Sequence, residues 1–155
     1  MAWCSIHQSG LMKCRLRRTA VHFLPFASTS GHGTEPDPEL DEDMIFTLEA
    51  GSVVQLDSGG KVGDHFRQML NLGSDNPLYV ARCNLAKLGV GTNPNARQAD
   101  NVLEAEKILG TVHVAIGDNI HMGGLVESDL HEDFVQPGVD LLLDGTAVIL
   151  NGEWL

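Results

Sequence analysis

The amino-acid sequence predicts an α+β fold in which short strands and hairpins form a mixed sheet with two short helices. Apolar runs of strand length outnumber the stretches with helical spacing. The dipeptides Asp144-Gly145 and Asn151-Gly152, the strongest signals for tight hairpin turns, follow one another near the end of the chain. With 155 residues, the chain has room for one domain with its own core.

The first part of the chain differs in composition from the rest. Residues 1–33 contain four basic side chains and no acid, and we expect this atypical N-terminal segment to be disordered. Its composition also fits an organellar transit peptide, but Pro25 interrupts it and no helical period runs through it. Residues 34–43 hold six acids and two prolines, as in a solvated acidic linker. The folded domain is therefore predicted to span 44–155.

The first half of this domain begins with a hairpin. MIFTLE and SVVQL alternate apolar and polar residues on either side of Ala50-Gly51, which predicts two strands around a tight turn. Apolar residues at helical spacing then predict a helix over 62–72, with Gly73 as its left-handed C-cap. After Asn-Pro reopens the chain, the apolar run 85–90 predicts a buried strand.

The second half continues with a short helix and several strands. A helix is predicted over 101–109, capped by Asp100 or Asn101. The strand 111–116 follows, then a glycine-rich loop, then the strand 130–134. The chain ends in strand-turn-strand units, VDLLL, AVIL and EWL, joined by the two hairpin turns.

Charge and composition exclude several classes of function. The formal net charge of −11 argues against nucleic acid as a partner, because phosphate binding needs clustered Lys and Arg. No apolar run approaches the ~20 residues that a membrane-spanning helix needs. The three cysteines have no CxxC spacing, which indicates a reducing compartment. We therefore expect a cytoplasmic protein.

Two predicted strands place metal-binding side chains on their faces. Because side chains alternate along a strand, His131 and Asp133 lie on one face and Glu132 on the other. In the strand 111–116, the same alternation places His113 beside Ala115, opposite an apolar face. If the two strands are neighbours, two nitrogen ligands and one oxygen ligand converge, as in catalytic zinc or non-haem iron sites. The alternative is that these histidines are structural hydrogen-bonding residues.

Other polar residues are weaker candidates. Glu106 precedes the strand of His113 and is a possible additional acid, whereas Glu104 is expected to be a solvated helix residue. His121, in the glycine-rich loop, is expected to be exposed. Asp118 is expected to satisfy turn amides rather than act as a base.

The longer motifs resemble a known family. LGVGTNPNAR (88–97), NVLEAEKILGTVHVAIGDN (101–119), HEDF (131–134) and the final LDGTAVILNGEWL are similar to the C-terminal region of the aminopeptidase T, or thermophilic metalloprotease, family, whose members are often labelled leucyl aminopeptidases. The 2,5-dihydroxypyridine dioxygenases, which are related to this family, also use an HxD pair, but for iron.

The resemblance implies a truncated, metal-dependent aminopeptidase that hydrolyses N-terminal residues with metal-activated water. It implies that 44–155 is the metal-site domain and that His113, His131 and Asp133 bind zinc, cobalt or manganese. It also implies that the partner is a peptide or small-molecule substrate and that the protein is a homodimer. The family has a glutamate at the position of Lys87, and the resemblance covers neither the family's first domain nor a further glutamate. Loss of activity is therefore one alternative, which would make the chain a non-catalytic fragment. The other alternative is an Fe(II)-dependent ring-cleaving dioxygenase of the hydroxypyridine type.

Overall fold

The predicted α+β class is confirmed. The structure, a computed structural model, describes Trp3–Ile6, Leu11–Leu16, 43–97 and 102–155. Within these residues the strands divide into two sheets rather than one. The larger, mixed sheet has the order β10-β9-β8-β1-β2-β3-β4, and the smaller, antiparallel sheet has the order β5-β6-β7.

The elements have the following bounds. The strands are β1 Trp3–Ile6, β2 Leu11–Leu16, β3 Met44–Glu49, β4 Ser52–Ser58, β5 Leu85–Val90, β6 Val112–Gly117, β7 His131–Gln136, β8 Asp140–Leu143, β9 Thr146–Leu150 and β10 Glu153–Trp154. The helices are α1 Gly60–Leu70, α2 Pro77–Arg82, α3 Val102–Ala105 and a short 3-10 helix, Ile120–Met122.

The predicted hairpins are confirmed. The two-residue turn between β3 and β4 has φ values of 48° at Ala50 and 81° at Gly51. The turn between β8 and β9, at Asp144-Gly145, has nearly the same values, 49° and 81°, and the turn at Asn151-Gly152 has 51° and 82°. Positive φ at both central residues is the requirement of the turn type that matches strand twist.

The helices differ from the prediction in three ways. Helix α1 ends with Asn71, whose φ of 43° makes it the left-handed cap in place of Gly73. Helix α2 was not predicted, although the side chain of Asn76 accepts a hydrogen bond from the Leu78 amide at 3.0 Å and Pro77 occupies the first position. Helix α3 is shorter than predicted, and its predicted caps lie outside the described residues.

An aromatic cluster packs the two sheets together. The ring of Phe134, on β7, lies 5.2 Å from that of Phe46, on β3, and 5.5 Å from that of Phe66, on α1. Val114 and Ile116 of β6 are buried in the same core. One face of the small sheet is therefore fixed against the larger sheet, and its other face is left for polar residues.

The predicted domain boundaries stay a prediction. Of the segment 1–33, only β1 and β2 are described; β1 pairs with β8 and β2 with β3. The linker 34–43, apart from Asp43, lies outside the described residues. Among the described residues, no helix is long and apolar enough to cross a membrane.

Candidate metal centre

The strand register of the small sheet gathers the polar side chains on one face. Strand β6 lies between β5 and β7, and Lys87, Ala115 and Asp133 pair across the three strands. His113 lies two residues from Ala115 on β6, and His131 pairs with the glycine that ends this strand. Because side chains alternate, the three predicted ligands and Lys87 share a face.

A glycine provides the space for the His113 ring. Gly89 pairs with His113, and a Cβ added at Gly89 would lie 2.0 Å from His113 Nε2. The imidazole therefore lies directly over strand β5, where only a glycine leaves room for it. This fixes the direction in which His113 faces its neighbours.

His131 is oriented by a backbone carbonyl. Its Nδ1 lies 2.6 Å from the carbonyl oxygen of Asp118, which can only accept, so Nδ1 carries the donated hydrogen. Its Nε2 then faces Asp133 Oδ2 at 3.4 Å. The hydrogen bond with Asp133 raises the pKa of His131, outweighing the opposite effect of burial. When this ring is neutral, with its hydrogen on Nδ1, Nε2 is the nitrogen available to a metal.

Asp133 is a buried carboxylate between Lys87 and His131. Its side chain is 9% exposed, and its Oδ1 lies 2.8 Å from Lys87 Nζ. Burial alone would raise the pKa of Asp133, but the hydrogen bond from His131 and the contact with Lys87 lower it to about 2. Oδ1 makes this ion pair without an aligned hydrogen bond.

Glu106 belongs to the same cluster. It lies just after α3, is 8% exposed, and has its Oε2 3.1 Å from Lys87 Nζ and 3.5 Å from His113 Nε2. Its other oxygen pairs with Lys107. Burial acts to raise the pKa of Glu106, but Lys107 and Lys87 together lower it.

The His113 ring is buried, and its electrostatic surroundings disfavour a proton. It is 6% exposed, and its Nδ1 has no hydrogen-bond partner. Burial and the charge of Lys87 lower the pKa of His113. Both effects favour the neutral ring, which is the form that binds metals.

These contacts form one continuous row, His131–Asp133–Lys87–Glu106–His113. The structure thus brings the predicted ligands and the possible additional acid onto one face. It also places an ammonium among them, and the described residues contain no group of three His, Cys, Asp or Glu side chains that could hold one metal ion. Sequence reasoning noted Lys87 only as a departure from a family motif. The sequence signal that could have identified Lys87 was its position inside an apolar strand, two residues before Gly89.

The weaker candidates lie at the edge of the cluster. His121 has a side chain that is 58% exposed, as expected, and its ring lies 4.8 Å from the ring of His131. Asp118 accepts hydrogen bonds from the Ser128 amide at 3.3 Å and from the ring of His121 at 3.0 Å, the turn role that was predicted. Glu104 accepts from the Arg97 amide at 2.8 Å.

Comparison with solved structures shows that the fold of the chain is similar to part of a dioxygenase. The matching protein is 2,5-dihydroxypyridine dioxygenase from Pseudomonas putida KT2440, with a TM-score of 0.60 and 19% sequence identity. The match covers 95% of this chain and 44% of that one, so the chain spans less than half the length of the dioxygenase. At this identity the likeness concerns the fold alone.

The comparisons correct the predicted activity. No family model matches the chain, and no curated protein matches it. The matching solved structure is a dioxygenase and not a peptidase. The interpretation as a peptidase, with proteolysis and leucyl aminopeptidase activity, was therefore wrong, and the comparisons do not support the relation to the aminopeptidase T family. The long motifs that suggested it lie mainly in elements that fix the fold, namely β5, β6, β7 and the terminal hairpin.

Proposed function

We propose that the polar face of the β5-β6-β7 sheet is the metal site of an iron-dependent dioxygenase domain that acts on a small hydroxylated aromatic, such as a dihydroxypyridine. His113, His131 and Asp133 would hold the metal. Two histidines and one carboxylate are the usual ligand set of non-haem Fe(II) oxygenases. The likeness of the fold to 2,5-dihydroxypyridine dioxygenase supports this proposal and suggests the substrate class.

The donor set fits a divalent cation in kind. His131 Nε2 faces Asp133 Oδ2 at 3.4 Å, while Asp118 holds its other nitrogen. His113 Nδ1 is buried without a hydrogen-bond partner, which is costly unless another group satisfies it. The distances between these side chains, by contrast, are those of a cluster in which Lys87 bridges Asp133 and Glu106.

The observation that carries the proposal is that His113, His131 and Asp133 lie on the same face of the small sheet. Bound iron would supply the activation of dioxygen and of the hydroxylated ring for cleavage. The protein's part is to hold these donors in place: Asp118 orients His131, and Gly89 leaves room for His113. The core side chains on the other face of the sheet keep the strands fixed.

An apolar loop beside the site offers a surface for an aromatic ring. The side chains of Ile120 and Met122 are 50% and 42% exposed, on either side of His121. The His121 ring contacts that of His131 at its edge. A planar substrate that approached the metal from this side would therefore meet apolar and aromatic side chains.

Metal content and oxygen consumption test the proposal. The purified chain is loaded with Fe(II) without air, and oxygen uptake is then followed with 2,5-dihydroxypyridine. We expect close to one iron per chain, substrate-dependent uptake, and loss of both in His131→Ala. Stoichiometric zinc or cobalt with no iron-dependent uptake would contradict the iron assignment. A folded chain that binds no divalent metal would contradict the proposed site itself.

A second candidate is a non-catalytic domain, which the ion pairs of Lys87 favour. Lys87 already supplies positive charge to Asp133 and Glu106 at 2.8 and 3.1 Å. This candidate predicts no tightly bound metal and no gain in melting temperature when a metal is added. The homodimer and the cytoplasmic location remain proposals; size-exclusion chromatography with light scattering would test the first.

A further inference from the structure

The side chain of Lys87 extends through the middle of the candidate metal centre. It extends from β5, opposite Ala115, whose methyl group leaves the middle of the sheet face open. Its ammonium nitrogen reaches Asp133 Oδ1 at 2.8 Å and Glu106 Oε2 at 3.1 Å. The side chain is 21% exposed. The ammonium therefore contacts an oxygen of a proposed ligand directly.

A divalent cation and this ammonium compete for the same oxygen. Two positive charges on one carboxylate oxygen in a mostly buried cluster repel each other strongly, because low-dielectric surroundings screen them little. The metal would also leave Lys87 without its partner Asp133. Binding of the metal and the present position of Lys87 therefore exclude each other.

We propose that Lys87 is an internal competitor that sets the metal affinity of this site. It pairs with Asp133 and Glu106 when no metal is bound, and a metal binds only when the ammonium leaves Asp133. This inference rests on the proposed function, since it assumes the same ligands. It predicts that the wild-type chain binds divalent metal more weakly than a chain in which residue 87 is uncharged.

Cobalt(II) titration of four variants tests the inference. Isothermal titration calorimetry and the visible spectrum of bound cobalt report binding without any turnover. Lys87→Met removes the charge and keeps the length of the side chain, and Lys87→Gln provides a polar variant should the first fold poorly. Lys107→Met is the matched control, because Lys107 also pairs with Glu106 but is 58% exposed. Lys87→Met/His131→Ala removes a proposed ligand from the uncharged background.

We expect the two Lys87 variants to bind cobalt at least about tenfold more tightly than wild type, and Lys107→Met to change the affinity by less than about threefold. The double variant Lys87→Met/His131→Ala should not show this gain in cobalt affinity. Equal affinity in wild type and the Lys87 variants would overturn the inference and leave the metal site standing. Folded Lys87 variants that bind no cobalt would overturn both. Cobalt binding by the Lys87 variants but not by wild type would support the inference and show that the wild-type chain has no working metal site.

Discussion

Lys87 and Asp133 form an ion pair across the central strand of the small sheet, with 2.8 Å between Nζ and Oδ1. Ala115 lies between them in the register, so neither charge meets a bulky side chain. Their side chains are 21% and 9% exposed, which separates this pair from a solvated surface pair. Such a pair is costly to break, because the remaining charge stays partly buried.

Asp133→Asn should therefore destabilise the metal-free chain. We expect a loss of ~2 kcal/mol in the free energy of unfolding, below the upper range for buried pairs because Lys87 keeps Glu106 as a partner. Urea unfolding followed by circular dichroism measures the change. The control is Asp64→Asn, which breaks the exposed ion pair with Arg67 at 2.8 Å and should cost less than ~0.5 kcal/mol. Equal effects of the two substitutions would contradict the buried role of Asp133.

Asp133 should also make the stability of the metal-free chain depend on acid pH. Its pKa in the folded chain is about 2, below the ordinary value, so its contribution is present above pH ~4 and is lost as the pH falls through about 2. The expected contribution is ~2 kcal/mol at neutral pH. Urea unfolding of wild type and Asp133→Asn at pH 6, 4 and 3 measures it. The difference between the two chains should shrink toward low pH, and a constant difference would count against the prediction.

In the metal-free chain, the pKa values of the two histidines of the site should be shifted in opposite directions. The pKa of His131 is raised, chiefly by Asp133, and that of His113 is lowered, chiefly by burial. The stabilising contribution of His131 is therefore present below its unfolded pKa and is lost as the pH rises through the higher folded pKa. His113 has the opposite effect on stability, because its protonation below its unfolded pKa destabilises the fold.

Nuclear magnetic resonance of the imidazole rings measures directly which of the two histidines has the higher pKa. His131 should keep its proton to a higher pH than His113, and Asp133→Asn should lower the pKa of His131. A reversed order of the two rings would show that His131 does not face Asp133 in solution.

Gly89→Ala should displace the ring of His113. The added Cβ would lie 2.0 Å from His113 Nε2, so the ring or the strand must move, at a cost of ~1–3 kcal/mol in the free energy of unfolding. Cobalt binding should weaken as well. The double variant Gly89→Ala/His113→Ala tests the cause, because removing the ring removes the collision. Its loss of stability should be clearly smaller than the sum of the two single losses, and simple additivity would refute the collision.

Local patterns in the sequence determined much of the fold. The Asp144-Gly145 and Asn151-Gly152 turns were predictable because two-residue hairpins need positive φ at both positions. Strand alternation placed His131 and Asp133 on one face without any tertiary information. Helix α2 escaped prediction because its apolar residues are not buried: Leu78 and Val80 are 42% and 54% exposed, so no hydrophobic period marks the segment.

Tertiary structure alone decided how the site is composed. The sequence established that an imidazole and a carboxylate would share a face, but not that β5 would place Lys87 in line with Asp133 on β7. That alignment depends on the pairing of three strands that are distant in the chain, and pairing register is fixed by the packing of the whole sheet. The ion pairs that shift the pKa values of Asp133 and His131, and the burial that shifts that of His113, are likewise properties of the packed domain, since both arise only when other elements approach and cover the side chains.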